Sequence, residues 1–427
     1  MPGDVFEELR WRGLVHQVTD EGLGAKLARE PFTLYHGIDV TAGSMHVGNL
    51  LGVLTLRRLQ EAGHRPLVLL GGGTSLIGDP SGRRSERPLL STEEIAANAA
   101  GIRAQLERLL DFDAGPAGAT LLNNADWLSP LRVIDFLRDV GKHFTVNVML
   151  AKEAVKVRLE DQDQGISFTE FSYMLLQAYD FLHLFDAWRC RLQVGGSDQW
   201  GNITAGIDLI RRARAAEAYG LTWPLVTKAD GTKFGKSESG NVWLDRARTS
   251  PYRFFQFWMN TDDRDVARYL RLFTFLDRER IELLEADLAE RPGRREVHRV
   301  LAMEVTRLVH GPEAADAADR ASTALFGGDL RDLPADTLRD VVADAPSSDL
   351  PRGRLDGDGA SLVDLLAESG LVASKSAARQ ALAQGGVSVN GRKEADVDRR
   401  ITADDLLDGG FVVLRRGKRS YHVLHAG

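Results

Sequence analysis

Cysteine is nearly absent: the 427 residues hold one, Cys190. No disulfide can close within the chain, and a cysteine-based zinc site lacks its ligands. Long apolar runs are missing as well, so nothing approaches the ~20 residues of a membrane-spanning helix. The first residues, MPGDVFEELRWRGL, carry acids early and lack the basic-then-apolar order of a secretion signal. Together these absences predict a protein of the reducing cytoplasm that does not engage a membrane. Positive charge is in deficit, with 54 Lys and Arg against 61 Asp and Glu. The net charge of −7 argues against a generally basic nucleic-acid binder. What is present is ordinary: 43% hydrophobic and 27% charged residues exclude wholesale disorder. The length allows two or three domains and at least one sizeable core.

From Pro31 onward, strand-like and helix-like stretches alternate. FTLYHGI reads as a strand, followed by a helix over about 47–62 with Leu50, Leu51, Val53, Leu54 and Leu59 on its apolar faces. Gly63 stops that helix, and RPLVLLGGG reads as a buried strand. This β-α-β unit predicts an α/β fold with a parallel sheet, whose ligands sit at the carboxyl ends of the strands. Residues 247–326 read as mostly helical. A Gly/Pro/Asp-rich stretch over 327–358 reads as a linker. A compact C-terminal unit follows, with two short helices, a turn at VNGRK and terminal strands. Its segment FVVLRRGKRSYHVLH holds Arg415, Arg416, Lys418 and Arg419 with no acid, against the sign of the whole chain.

Several polar stretches punctuate this framework. LGGGTSLIGDPSG fails as a dinucleotide loop, because Leu76 stands where a third glycine is needed. It fails as a Walker loop, because Asp79 follows Gly78. Its carboxylate, in a turn after a buried strand, suits an amino group. ADGTKFGKSESG also lacks Walker spacing, and leaves a loop with Lys233, Lys236 and Ser237. Ammonium groups on such a loop suit a polyphosphate whose charge moves during reaction. FTEFSYMLLQAYDFLHLF is a strongly apolar helix, yet Tyr173, Gln177 and Asp180 fall on one face. An unpartnered buried polar group costs about 1–3 kcal/mol, so three of them imply either a satisfied core network or the wall of a polar-ligand pocket. VGGSDQWGNI adds a strand-end Gly-Gly before Asp198 and Gln199, and Asp198 suits ribose hydroxyls.

Taken together, these stretches resemble the tyrosyl-tRNA synthetases, class I aminoacyl-tRNA synthetases of bacterial type, over nearly the whole chain. HVGN looks like the His-Ile-Gly-His signature and KFGKS like the Lys-Met-Ser-Lys-Ser signature. YHGIDVTAGSMHVGN, IGDPSG, SYMLLQAYD and GGSDQWGN are similar to the tyrosine-specific blocks. The resemblance implies a Rossmann-like parallel-sheet catalytic domain over 1–228, and a lysine signature loop with an α-helical domain over 229–326. It also implies a small C-terminal α+β RNA-binding domain over 359–427. The implied reaction is attack of the tyrosine carboxylate on the α-phosphate of ATP, then transfer of tyrosine to the 3′ end of its tRNA. Catalytic roles fall to His46, Asn49, Thr41, Lys233, Lys236 and Ser237. Tyr35 and Asp180 would bind the phenolic hydroxyl, and Asp79, Tyr173 and Gln177 the α-ammonium, with Asp39 and Gln199 on the amino-acid side. Gly37, Gly48, Gly196 and Asp198 join His46, Asn49 and Lys236 around ATP. Arg211, Arg212, Arg415, Arg416, Lys418 and Arg419 would meet tRNA. Mg²⁺ would be carried by the ATP phosphates without a protein cage, and the chain would form a homodimer, with the stretch around Phe168 as its candidate contact.

The chain departs from the family pattern at Asn49 for the second histidine, at Phe234 and Gly235 in the lysine loop, at Val40 for a frequent proline and at Arg83 for a frequent lysine. None of these removes a charge that the chemistry requires. Two rival readings stay open at this level. A tryptophanyl-tRNA synthetase shares both signatures, though an indole offers only a donor at its polar end. A non-catalytic RNA-binding protein on the same fold is opposed by the intact His46, Lys233 and Lys236.

Overall fold

The computed structural model describes residues 4–81, 90–160, 165–232, 234–237, 240–325, 329–333, 335–343, 345–408, 410–417 and 420–427. The chain divides into two compact units, 1–245 with 262–286, and 246–261 with 287–427.

The first unit is built on a six-stranded sheet of β1 (Gln17–Val18), β2 (Thr33–Ile38), β3 (Arg65–Leu70), β4 (Thr120–Asn123), β5 (Cys190–Gly196) and β6 (Tyr219–Trp223), in the order β1-β6-β5-β2-β3-β4. All its pairings are parallel except β1 on β6 at one edge. The chain leaves β2 toward β3 and leaves β5 toward β6 on the opposite side. The carboxyl ends of β2 and β5 therefore open a crevice at the switch point of the sheet. Among the described residues, ten α-helices of this unit precede residue 245: α1 (Val5–Trp11), α2 (Leu23–Arg29), α3 (Val47–Glu61), α4 (Thr92–Leu109), α5 (Ala125–Leu128), α6 (Val133–Asp139), α7 (Val146–Leu150), α8 (Glu153–Glu160), α9 (Phe168–Trp188) and α10 (Trp200–Arg214). The expected helix over 47–62 is α3, buried along nearly all its length. Such burial suits a helix whose apolar residues occur on every side. A short hairpin, β7 (Lys236–Ser237) with β8 (Gly240–Asn241), follows.

The mostly helical stretch after residue 247 contains α11 (Pro251–Met259), α12 (Asp263–Phe273), α13 (Arg278–Glu290), α14 (Glu296–His310) and α15 (Pro312–Leu325). The structure departs from a single helical domain over 229–326, because α12 and the chain to Ala286 pack with the sheet unit. Helical periodicity reports an apolar face and cannot say which neighbour covers it.

The second unit joins α11, α14 and α15 to a C-terminal sheet. The stretch 327–358 is not a plain linker. It holds α16 (Ala335–Ala343) and β9 (Ser347–Leu350), and β9 pairs in parallel with β15 (Ser420–Ala426), Ser347 opposite Val423. Three of the four β9 residues are exposed, so no apolar pattern marked the strand, and its partner lies some 70 residues away. The sheet order is β12-β11-β14-β15-β9, with β11 (Val387–Val389), β12 (Arg392–Glu394) and β14 (Phe411–Arg416); β10 (Ala360–Ser361) pairs with β13 (Arg400–Ile401). The expected turn at VNGRK is a two-residue hairpin between β11 and β12. Asn390 and Gly391 both take positive φ, 51° and 86°, as a turn of this hand requires. The expected two short helices, α17 (Leu362–Glu368) and α18 (Lys375–Ala383), pack on the sheet through Leu362, Leu365, Leu366 and Leu382.

Candidate active site

A cavity of about 510 Å³ opens where β2 and β5 end. The turn from β2 into α3 forms one wall. Its backbone is pinned from two sides: Ser75 Oγ accepts from Val40 N–H at 3.1 Å, and Asn98 Nδ2 of α4 donates to Val40 O at 2.9 Å. His46 then caps α3. Its Nδ1 accepts from Gly48 N–H at 3.0 Å, and Asn49 Oδ1 accepts from His46 N–H at 3.1 Å, a reciprocal capping box. Because a backbone N–H can only donate, Nδ1 carries a lone pair, and the proton of the neutral ring sits on Nε2. The same orientation leaves Asn49 Nδ2 as a donor. Gly48 is required by this cap itself, since a Cβ there would come within 2.8 Å of the His46 ring.

Among the buried polar groups that line the cavity, two ionisable ones interact electrostatically. Tyr35, on β2, and Asp180, on α9, are only 1% and 2% exposed. The Tyr35 hydroxyl has no hydrogen-bond partner among the described residues. Asp180 accepts from Asn124 Nδ2 at 2.9 Å and from Trp127 Nε1 at 2.7 Å. Burial nevertheless pushes its carboxyl up to about 7, those two donors opposing the shift. Burial and the facing Asp180 also raise the Tyr35 phenol well above its usual range. A hydroxyl donor without a partner beside a carboxylate that lacks solvation is a site prepared for another hydroxyl.

Nearer the mouth, Tyr173, Gln177, Asp79 and Gln199 converge. Gln177 Nε2 donates to Gln199 Oε1 at 3.3 Å, and Gln199 Nε2 donates to Asp79 Oδ2 at 2.8 Å. Asn202 Nδ2 donates to Gln177 Oε1 and to Gln199 Oε1, each at 3.1 Å. This edge of acceptors and amides suits an ammonium group. Gly37, Asp39, Thr41, Gly196 and Asp198 line the same cavity beside His46, Gly48 and Asn49.

The structure thus brings together every expected amino-acid residue and all the expected nucleotide residues except those of the lysine loop. Lys233 lies outside the described residues, and Lys236 and Ser237 are placed only as backbone in β7. Lys418, Arg419 and Arg83 also lie outside them. Arg211 and Arg212, on α10, do not line the cavity. Arg211 pairs with Asp208 at 3.0 Å, and Arg212 donates to His143 O at 2.8 Å. Arg415 and Arg416 are neighbours on a strand and so face opposite sides of the sheet. Arg415 donates to Ser388 Oγ at 3.2 Å and Arg416 to Leu371 O at 3.0 Å.

Sequence reasoning missed Asn124 and Trp127, which hold Asp180, and Asn202 behind the glutamines. Asn124 directly follows β4, a strand of the parallel sheet, a position that could have marked it. His36 was missed too. It lines the cavity between Val194 O, 3.2 Å from Nδ1, and Gly52, and burial lowers its pKa to about 4. The carbonyl can only accept, so Nδ1 bears the proton and Nε2 is an acceptor.

Residues 27–327 match the family described as tRNA synthetases class I (W and Y), and residues 342–424 match the tyrosine–tRNA ligase SYY-like C-terminal domain. The chain is 58% identical to the tyrosine–tRNA ligase of Roseiflexus castenholzii, over 98% of this chain and 99% of that one. It is 56% identical to the enzyme of that name from Bacillus caldotenax, over 99% of each. Among solved structures, a C-terminally truncated mitochondrial tyrosyl-tRNA synthetase of Aspergillus nidulans superposes with a TM-score of 0.68 at 33% identity, covering 76% of this chain and 94% of that one. The first match leaves tryptophan and tyrosine open, and the second, with the near full-length relatives, decides between them. The chain belongs to the tyrosine–tRNA ligase family of the class I tRNA synthetases.

Proposed function

We propose that this chain activates L-tyrosine with ATP to tyrosyl-adenylate and pyrophosphate, and then transfers tyrosine to the 3′ end of its tRNA. The observation that carries the reading is the buried pair Tyr35 and Asp180 in the wall of the cavity. It offers one donor and one acceptor to a phenol, whereas an indole N–H would leave the Tyr35 hydroxyl unpaired. Tyrosine-dependent exchange of pyrophosphate into ATP tests it. Exchange with tyrosine and not with tryptophan is expected; exchange driven by tryptophan, or none, would refute it.

In this reading the α-ammonium binds between Asp79, Tyr173 and Gln177, with Asp39 and Gln199 beside it, so the carboxylate faces the nucleotide. No general base is required, because a carboxylate is already a nucleophile at neutral pH. Rate comes from alignment and from charge stabilisation. His46 Nε2–H and Asn49 Nδ2 donate to phosphate oxygens at the N-terminus of α3, where the helix dipole also favours an anion. Thr41 contacts the γ-phosphate side and Asp198 the ribose; Gly37, Gly48 and Gly196 leave room for the nucleotide. Lys233, Lys236 and Ser237 close on the leaving pyrophosphate. Mg²⁺ arrives on the ATP phosphates.

Tyr35→Phe separates folding from recognition. The hydroxyl has no partner in the empty chain, so its removal should leave the melting temperature equal or higher. The ratio of kcat/KM for tyrosine over phenylalanine should fall about ten- to hundredfold, the cost of one buried unpaired group. An unaltered ratio would show that Tyr35 does not read the phenol.

The raised Asp180 carboxyl also gives tyrosine binding a pH signature. The ionised form accepts the phenol hydroxyl, so binding lowers the Asp180 pKa from about 7. Affinity for tyrosine should be full above pH 7 and fall below it, by no more than about tenfold per pH unit. Phenylalanine, lacking the hydroxyl, should show no such fall. Calorimetric titrations of both amino acids between pH 5.5 and 8.5 check this, and parallel curves would remove Asp180 from the role.

The remaining partners belong to the same proposal. The second unit holds tRNA, through Arg415, Arg416, Lys418 and Arg419, with Arg211 and Arg212 guiding the acceptor end. A homodimer is supported by Val133, Ile134 and Phe168, which are 67%, 68% and 78% exposed and, with Leu137, Val146 and Val148, crowd α6, α7 and the start of α9. No helix among the described residues is long and apolar enough to cross a membrane. A cytoplasmic site of action accords with the single buried cysteine.

A further inference from the structure

Helix α3 carries the first signature at its N-terminus, and its last turn carries Arg58, which is buried. Arg58 Nη2 donates to Leu272 O at 3.2 Å and Thr274 O at 2.6 Å, the carbonyls at the C-terminal end of α12. Arg12, also buried, donates to Arg271 O and Thr274 O, both at 3.0 Å, and to Leu276 O at 2.6 Å. Phe275 lies under the Arg58 guanidinium, 4.5 Å from its ring centre.

The N-terminal end of α12 and the face that carries Tyr269 and Phe273 hold the lysine loop. Asp265 Oδ2 accepts from Ala229 N–H at 2.8 Å. Phe234, between the two signature lysines, is buried against Tyr269 and Phe273, with ring centres 5.0 and 5.2 Å away. Gly235 follows with φ +88° and lies so close to α3 that a Cβ would meet Val47 Cγ2 at 3.1 Å. Gly235 O accepts from Val242 N–H, and Val242 O accepts from Val47 N–H, each at 3.0 Å. The contacts form a closed circuit: first signature, α3, Arg58, α12, Phe234, and back to the first signature through Gly235.

We propose that α12, clamped by Arg58 and Arg12, is the strut that sets the separation between the two signature motifs, so that Arg58, Arg12, Asp265 and Phe234 are positioning residues for adenylate formation. Two guanidiniums on one set of carbonyls repel each other, and both lose hydration. Buried charge arranged in this way adds little net stability but favours one geometry. Cations are at the same time the groups that the C-terminus of a helix accepts best. Stabilising α12 by packing alone would not require charge at this point. A phosphate-binding loop displaced by about 1 Å can lose about 100-fold in rate, so a rigid support is worth its cost.

The inference rests on the proposed activation of tyrosine and is tested by a double-mutant cycle on single-turnover adenylate formation. Phe234→Ala and Arg58→Met should each slow the step about ten- to hundredfold while tyrosine affinity stays within about twofold. The double variant should be no slower than about twofold below the slower single one, because both break the same strut. Amide exchange at Ala229, Gly231 and Thr232 should quicken in Arg58→Met, although that residue touches none of them. Arg58→Lys, which keeps the charge, should recover part of the rate. Should Arg58→Met not fold, Asp265→Ala takes its place in the cycle with the same expectation. Multiplicative effects in the double variant, unchanged single rates, or a matching loss of tyrosine affinity would each overturn the strut. A parent chain without tyrosine-dependent exchange would instead overturn the activity on which it rests.

Discussion

Lys233→Ala and Lys236→Ala should each lower the rate of tyrosyl-adenylate formation by about 10²–10³-fold, with tyrosine affinity within about twofold of the parent chain. Their neighbours in the loop are fixed, Phe234 against Tyr269 and Phe273 of α12 and Gly235 against Val47 of α3. In the proposed reaction the two ammonium groups meet charge that appears only as the bond between the α- and β-phosphates breaks. An interaction made in the transition state and not with bound substrate lowers the barrier without tightening the ground state. The reverse reaction, pyrophosphate attacking bound tyrosyl-adenylate, crosses the same transition state, so each variant should slow it by the same factor. Rapid-quench measurements in both directions check this. Loss confined to the forward direction, or loss of tyrosine binding in parallel, would give the lysines a different role.

Removing residues 346–427 should cost at least about 100-fold in kcat/KM for tRNA charging, while adenylate formation stays within about twofold. The place of the cut follows from β9. Ending the chain near Gly353 would leave that strand without its partner β15 and strand Leu350, which is buried in the C-terminal core. That core draws its buried residues from 350–424 alone, so a cut ahead of β9 removes it whole. The links lost include the ion pairs Arg392 to Asp329, Arg331 to Asp405 and Arg339 to Asp408, each with an exposed arginine and each contributing about 1 kcal/mol or less, and the backbone bond from Leu330 N–H to Asn390 O. An acidic chain needs local cations to hold a polyanion, and each phosphate contact adds about 0.7–0.9 to the log–log salt slope. Replacing Arg415, Arg416, Lys418 and Arg419 by alanine should reproduce part of the charging loss and flatten that slope. Full charging by the shortened chain at physiological salt would show that tRNA is held elsewhere.

The two ends of the cavity differ in how far they could be read beforehand. Tyr173, Gln177 and Asp180 were legible because helical spacing alone puts them on one side of an apolar helix, and the price of burying them unpaired demanded a ligand or a network. The structure supplies both: a ligand-sized cavity for all three, and a network around Asp180. The network's members are Asn124, between β4 and α5, and Trp127, on α5, and nothing local in LLNNADWL names a carboxylate 53–56 residues away as their partner. The same limit hid β9, whose SSDL has no pattern until β15 lies beside it. Arg415 and Arg416 illustrate the converse. As a run they read as one basic patch, and strand geometry divides them between two faces.

The sequence by itself determined the opening β-α-β unit, the apolar helix with three polar residues on one face and the residue types that the chemistry needs, because turn glycines, capping groups and hydrophobic periods act over a few residues. It also determined the family, since HVGN, IGDPSG, SYMLLQAYD, GGSDQWGN and KFGKS stand in the required order. Only the tertiary structure decided which strand end meets which helix, that Asp180 is held near neutrality by burial, and that α12 packs with the sheet unit. It alone decided that Arg58, at the far end of α3 from His46, reaches the helix beneath the lysine loop. These outcomes depend on desolvation and on contacts between residues up to 216 positions apart. Their energies exist only once the chain has closed on itself.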